Sequence, residues 1–196
     1  MKEILRLYIT LMPVILAGIF NMIFVKSRVL EKTYIPMDQN RTWRDGKPLF
    51  GPNKTWKGFF GMVVLTALSQ VAWGALLAQL PAWQTLHLVY TYQPNTPLFN
   101  LLLGALLGLS YVLFELPNSF IKRRLDIPAG KPANNHWRTA FILIDQIDSL
   151  FGCALVLALF SPVSLSQFLL LLAIGTLTHL GVNRLLYLAK LRKNQM

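Results

Sequence analysis

The chain has 196 residues, of which 54% are hydrophobic and only 14% charged, with a mean hydropathy of +0.47. A soluble domain carries about 25% charged residues, so the composition excludes soluble globular, disordered and collagen-like classes. The length accommodates one domain (1–196), and the net charge of +11 is concentrated in a few segments.

Lys and Arg are absent from Gly58 to Ile121 and again from Thr139 to Asn183. About 20 apolar residues in a helix cross the hydrocarbon core. Five such segments are expected, at about 4–25, 59–80, 98–114, 141–160 and 166–189. The fold class is therefore all-α, a multi-pass bundle of five transmembrane helices in the lipid bilayer. The first span reads as a retained helix rather than a signal peptide, because VKSRVLEK offers no small-residue cleavage site. In the third span Gly104 and Gly108 form a small-xxx-small pair, expected to pack within the protein. Cys153 lies in an apolar run and reads as an inert buried thiol.

The segments following spans one and three, 26–58 and 117–140, hold eight and five Lys/Arg, and 184–196 holds four. The positive-inside rule then places these segments in the cytosol and the N-terminus outside, in the cytoplasmic membrane. The basic residues follow topology rather than a groove-binding motif, so nucleic acid is not an expected partner.

Two of these basic segments carry chemistry. DGKPLFGPNKTWKGFF, Asp45 to Phe60, sets Lys47, Lys54 and Lys57 among glycines and prolines. Lysines supply point charges for phosphate, and Thr55 is positioned to cap the second span. A loop touching anionic headgroups would have the same composition. Further on, Glu115 closes the third span and is followed by Ser119, Lys122, Arg123 and Arg124. Asp145 and Asp148 then lie on one face of the fourth span. An acid near the centre of a membrane helix costs roughly 2.5–3.5 kcal/mol, and less towards the end. Either nearby arginines pair with them or a cation does. Mg²⁺ takes one or two carboxylates and is completed by water and substrate phosphates. Acids for metal beside cations for phosphate, at a membrane edge, suit phosphoryl or nucleotidyl transfer to a lipid.

Span five adds Thr176, His179 and Asn183 on one face, as helix–helix hydrogen bonds or as cavity lining. His87 and His136 have no partner at metal-ligand spacing, so no zinc site is expected. A transport or scaffold protein with lipid-binding loops would share the topology but show no nucleotide dependence. The Asp-Gly-x-x-Ala-Arg string of CDP-alcohol phosphotransferases does not occur. Other lipid-phosphate transferases stay open, as does a homo-oligomer.

GPNKTWKGF after the first span, then SFIKRR, then DQID resembles the CDP-archaeol synthase family, which is related to CDP-diacylglycerol synthases (phosphatidate cytidylyltransferases). The resemblance runs over nearly the whole chain. It implies a Mg²⁺-dependent enzyme that converts CTP and a lipid phosphate, archaeol-phosphate-like or phosphatidate-like, to a CDP-lipid and pyrophosphate. It further implies that Asp145 and Asp148 hold the metal, joined by Glu115 where the family usually has aspartate. Lys122 and Arg123 would contact phosphates with Ser119 beside them. Lys54 and Thr55 would close the site, with Lys57 and Arg124 assisting in substrate binding. The His-Gly-Gly run of the diacylglycerol branch is replaced by Asn134, Asn135 and His136.

Overall fold

The computed structural model describes residues 1–131, 133 and 138–188, with backbone alone at Asn183 and Leu186. Five long helices carry the described chain: α1 (Lys2–Lys26), α2 (Trp56–Ala78), α4 (Pro97–Arg124), α5 (Arg138–Phe160) and α6 (Leu165–Leu188). A short helix, α3 (Pro81–Gln84), lies between α2 and α4. All five long helices are long and apolar enough to cross a membrane. Among the described residues there is no strand, only two isolated bridges, Pro36 with Thr55 and Thr42 with Pro48. The expected all-α bundle of five spans is what the chain adopts.

Local chemistry sets the helix starts. Thr55 Oγ1 accepts from Gly58 N at 3.2 Å and caps α2. Thr96 caps α4 through Phe99 N at 3.3 Å, with Pro97 in the first turn where a missing N–H costs nothing. One boundary differs substantially from the sequence expectation. The third apolar run was expected to end at Phe114, yet α4 continues ten residues further, to Arg124. Charge ends the apolar run without ending the helix, because Glu, Lys and Arg are good helix formers. Pro117 is accommodated near the polar end, where water and side chains can satisfy the freed carbonyl.

The helices form a closed ring in the order α1, α2, α4, α5, α6 and back to α1. The α2–α4 contact is the closest. A Cβ on Gly104 would stand 2.7 Å from the Ala67 Cα, and one on Gly108 would stand 2.8 Å from the Met62 carbonyl. The small-xxx-small pair thus serves packing inside the protein. Leu7, Leu11, Val14, Met62, Leu103, Leu107, Leu157 and Leu171 fill the centre. Cys153 is fully buried there, its thiol directed at the Leu107 carbonyl 3.6 Å away. Leu68, Leu102, Leu159, Leu165 and Leu177 are more than half exposed around the outside, as a lipid-facing surface requires.

The ring's two ends differ. At one, the segment between α1 and α2 folds over the end of α4. Asp38, 4% exposed, ties it together by accepting from Gly51 N at 2.8 Å, Phe50 N at 3.0 Å and Asn40 N at 3.1 Å. Gly51 adopts φ +101°, a backbone conformation open to glycine, and lies against Ala129 and Arg123. At the other end, α3 and its flanks pack down through Leu88 N to Thr10 Oγ1 at 2.9 Å and Tyr90 OH to Asn100 Oδ1 at 2.7 Å.

Candidate active site

The α4 extension and the start of α5 lie side by side at the end covered by the 27–55 segment. They enclose a cavity of about 690 Å³ with α1, α6 and that segment. Helix α4 contributes Tyr111, Glu115, Asn118, Ser119, Lys122 and Arg123, spaced three and four apart so that they share one face. Helix α5 contributes Arg138, Phe141, Asp145, Gln146 and Asp148. Lys26 on α1, Asn53 and Lys54 from the loop, Lys131, and His179 on α6 complete the polar wall. Ile15, Gly18, Ile19 and Met22 make the α1 side apolar.

The polar groups are cross-connected. Lys122 Nζ donates to both Asp145 oxygens, at 2.6 and 2.5 Å. Asn118 Nδ2 donates to Asp145 Oδ1 at 2.7 Å and to Asp148 Oδ2 at 2.8 Å. Asp148 Oδ1 also accepts from Ser149 N at 2.6 Å. Lys54 Nζ donates to Glu115 Oε2. Burial opposes the Lys54 charge, but Glu115, with Asp148 and Asp145 behind it, outweighs burial and holds the Lys54 pKa above the usual lysine value. This ion pair stands where the main cavity adjoins a second of about 280 Å³, lined by Asn21, Met37, Thr55, Phe59 and Met62 among others. Arg123 is 8% exposed, its Nε has no hydrogen-bond partner, and no carboxylate stands within ion-pair distance among the described residues. A buried guanidinium so placed is a strong anion ligand.

Of the residues expected from sequence, Lys54, Glu115, Ser119, Lys122, Arg123, Asp145 and Asp148 come together around the main cavity. Thr55 caps α2 and lines the smaller cavity. Two lie elsewhere. Lys57 is 2% exposed, with Nζ donating to the Ser27 carbonyl at 2.7 Å and lying over the Phe24 ring. Arg124 is on the far side of α4, paired with Asp45 at 2.8 Å and donating to the Pro48 carbonyl at 2.5 Å. Both hold the loop to the bundle. His179 lines the cavity, whereas Thr176 does not. Asn134, Asn135, His136 and the Asn183 side chain lie outside the described residues.

Asn118 was not anticipated, although its position on the Glu115–Lys122 face was visible in the spacing. Tyr111, Lys26, Arg138 and Asp38 were likewise missed, since each becomes relevant only through contacts between elements. No cluster of three or more metal-ligating acids, histidines or cysteines occurs among the described residues. Two carboxylates converging on one amide nitrogen still fit Mg²⁺, which needs only one or two protein oxygens when substrate phosphates supply others. Glu115 is engaged by Lys54 rather than by that pair.

The sequence is similar to several curated proteins. It is 34% identical over 160 residues to the CDP-archaeol synthase of Pyrococcus furiosus, covering 79% of this chain and 80% of that one. To that of Thermofilum pendens it is 32% identical over 184 residues, covering 92% and 76%. A solved intramembrane enzyme for archaeal membrane lipid biosynthesis shares the fold, with a TM-score of 0.57, 24% identity and coverage of 90% and 91%. The family described as CarS-like, CDP-archaeol synthase, matches residues 2–195. With motifs, helix count and relatives in agreement over almost its full length, the chain belongs to the CDP-archaeol synthase family.

Proposed function

We propose that this CTP-dependent cytidylyltransferase acts on an ether-linked, archaeol-phosphate-like lipid and uses the α4–α5 cavity as its active site. The observation that supports this assignment is the cavity itself. It gathers paired carboxylates, Asp145 and Asp148, with the cations Lys54, Lys122 and Arg123, between a polar roof and an apolar α1 wall.

In the reaction, an oxygen of the lipid phosphate attacks the α-phosphorus of CTP. The bond from that phosphorus to the β-phosphate bridging oxygen breaks, and pyrophosphate leaves with the electron pair. The nucleophile is already an anion, so no general base is required. Catalysis then rests on alignment and charge neutralisation. Arg123 and Lys122 contact the phosphates from α4, with Ser119 one turn away on the same face. Lys54 brings a third cation from the loop, oriented by Glu115. Ile15, Ile19 and Met22 offer the lipid chain an apolar surface. Mg²⁺ held by Asp145 and Asp148 would neutralise triphosphate charge and stabilise the leaving pyrophosphate. Thr55, Lys57 and Arg124 contribute by holding the roof in place.

The active site opens to the cytosol in this reading, where CTP is available. Its support is the thirteen Lys/Arg in segments 26–58 and 117–140, both at the cavity end. The test uses purified protein with CTP labelled at the α-phosphate, Mg²⁺, and either ether-linked isoprenoid lipid phosphate or ester-linked phosphatidate. Labelled CDP-lipid with stoichiometric pyrophosphate, and preference for the ether lipid, is expected. No labelled lipid from either substrate overturns the assignment.

A further inference from the structure

Asn118 occupies an unusual position, and nothing in the reaction as written above uses it. It is 7% exposed, between the charged residues Glu115 and Lys122 on the α4 face of the cavity. Its Nδ2 donates to oxygens of two different carboxylates, Asp145 Oδ1 at 2.7 Å and Asp148 Oδ2 at 2.8 Å. Its Oδ1 is buried with no hydrogen-bond partner. The chemistry fixes this orientation, because carboxylate oxygens only accept and the amide must present its NH₂ group to them. An unsatisfied buried carbonyl oxygen is costly. The amide tolerates that cost because its other end bridges two acids.

We propose that Asn118 is a positioning residue for the divalent cation: it holds the two aspartates side by side when the site is empty and yields its place between them when the cation enters. The amide nitrogen stands where a cation shared by Asp145 Oδ1 and Asp148 Oδ2 would need to be, so donor and cation compete for the same oxygens. A half-turn about the terminal side-chain bond exchanges Nδ2 for Oδ1. The orphaned oxygen then becomes an acceptor facing the cation, directly or through one of its waters. The same residue thereby limits repulsion between the acids before loading and adds an oxygen after it. Lys122 cannot replace it, since its ammonium reaches Asp145 alone. This rests on the metal assignment to Asp145 and Asp148.

The probe is Mn²⁺, followed by electron paramagnetic resonance on purified protein without CTP or lipid, with melting temperature measured on the same samples. Two near-isosteric variants separate the roles. Asn118→Leu can neither bridge nor ligate, and should bind Mn²⁺ about tenfold more weakly, within the 10–100-fold typical of residues supporting metal ligands. Asn118→Asp supplies a third carboxylate in place of the donor. It should melt at lower temperature without metal, bind Mn²⁺ at least about tenfold more tightly, and regain its melting temperature on loading. A merely structural role would weaken Mn²⁺ binding in both variants alike, and that result overturns the proposal. Unchanged Mn²⁺ affinity in both also overturns it, while leaving the metal assignment standing. If the unsubstituted protein binds no Mn²⁺, the metal assignment and the proposal fail together. Should Asn118→Leu not purify, the direction of the Asn118→Asp shift decides alone.

Discussion

Lys122 holds Asp145 at two points, its ammonium 2.6 Å from one carboxylate oxygen and 2.5 Å from the other, whereas Asp148 three residues on has only amide and backbone donors. The two aspartates look equivalent in the sequence and are not equivalent in the fold. Replacing Asp145 by asparagine strands the Lys122 charge. The cost of breaking a fully buried pair is about 3–5 kcal/mol. It will be smaller here, because the Asp145 side chain retains 36% of its accessibility. Asp148→Asn breaks no direct ion pair and keeps an acceptor for Ser149 N, while its new NH₂ meets Asn118, whose partnerless Oδ1 can turn to accept it. Without ligand, Asp145→Asn should therefore lower the melting temperature and Asp148→Asn should leave it level or raise it. Both should lose Mg²⁺-dependent turnover by orders of magnitude. Retained turnover with a lowered melting temperature in Asp148→Asn would defeat its role as a metal ligand.

Arg123 gives a cleaner view of phosphate binding than Lys122 does. Its guanidinium has no carboxylate within ion-pair distance among the described residues, so Arg123→Ala strands no buried acid. That variant should raise the KM for CTP at least about tenfold while melting close to the parent, since a hydrogen bond to a charged group is worth about 1.5–3 kcal/mol. Arg44→Ala, on the exposed loop surface over Trp43, is the control and should leave the KM unchanged. Equal effects at the two positions would mean that general basic charge, rather than a site, attracts the nucleotide.

How much of this was legible beforehand follows from what each feature depends on. The five spans are written in local composition, since twenty uncharged apolar residues have few alternatives in a membrane. Glu115, Lys122, Asp145 and Asp148 were visible because charge in such segments is costly and needs a reason. Lys57 and Arg124 carried the same signal, yet the fold places both away from the main cavity. A lysine or arginine next to a substrate site and one clasping a loop have identical local sequence, and only the fold shows Lys57 over Phe24 and Arg124 on Asp45. Asn118 was invisible for a different reason: a neutral amide at a helix end costs little, so nothing flags it until two carboxylates from another helix arrive.

Asp38 supplies a pH test of the roof over the site. Burial alone would raise its pKa, but hydrogen bonds from Gly51, Phe50 and Asn40 outweigh burial and hold it below the usual aspartate value. A carboxylate with a lowered folded pKa stabilises the fold above its unfolded pKa, about 3.9, and loses that contribution as pH falls through the folded value. The roof should therefore resist limited proteolysis equally from pH 5 to 8 and become susceptible only below about pH 4. Asp38→Ala leaves three backbone donors without their acceptor, and should expose the 38–51 segment to protease at neutral pH. Because the Lys54 carbonyl accepts from Met37 N at 2.8 Å, the same variant should also raise the KM for CTP. Protection of the segment in Asp38→Ala would show that the Arg124–Asp45 pair and a second ion pair, Lys47 Nζ to Asp126 Oδ2 at 2.7 Å, suffice to hold the roof.

Orientation in the membrane is the remaining question, and single-cysteine labelling answers it. The native thiol, Cys153, is fully buried in the helical bundle and should stay silent to a membrane-impermeant maleimide. Lys32 is exposed in the 27–55 segment at the cavity end, and Ala82 is exposed in α3 at the opposite end. The 81–97 segment contains no Lys or Arg, whereas 26–58 contains eight. Cytoplasmic loops near span ends carry the excess of positive charge, which directs these two segments to opposite sides. Ala82→Cys should therefore label in intact cells, and Lys32→Cys only after permeabilisation. The cavity would then face the compartment that holds CTP, and lipid phosphate would enter along the α1 wall from the adjoining leaflet. Labelling of Lys32→Cys in intact cells, with Ala82→Cys protected, would invert the topology. The active site would then need a nucleotide supply outside the cell, so that outcome would count against the cytidylyl-transfer assignment as well as against the charge argument.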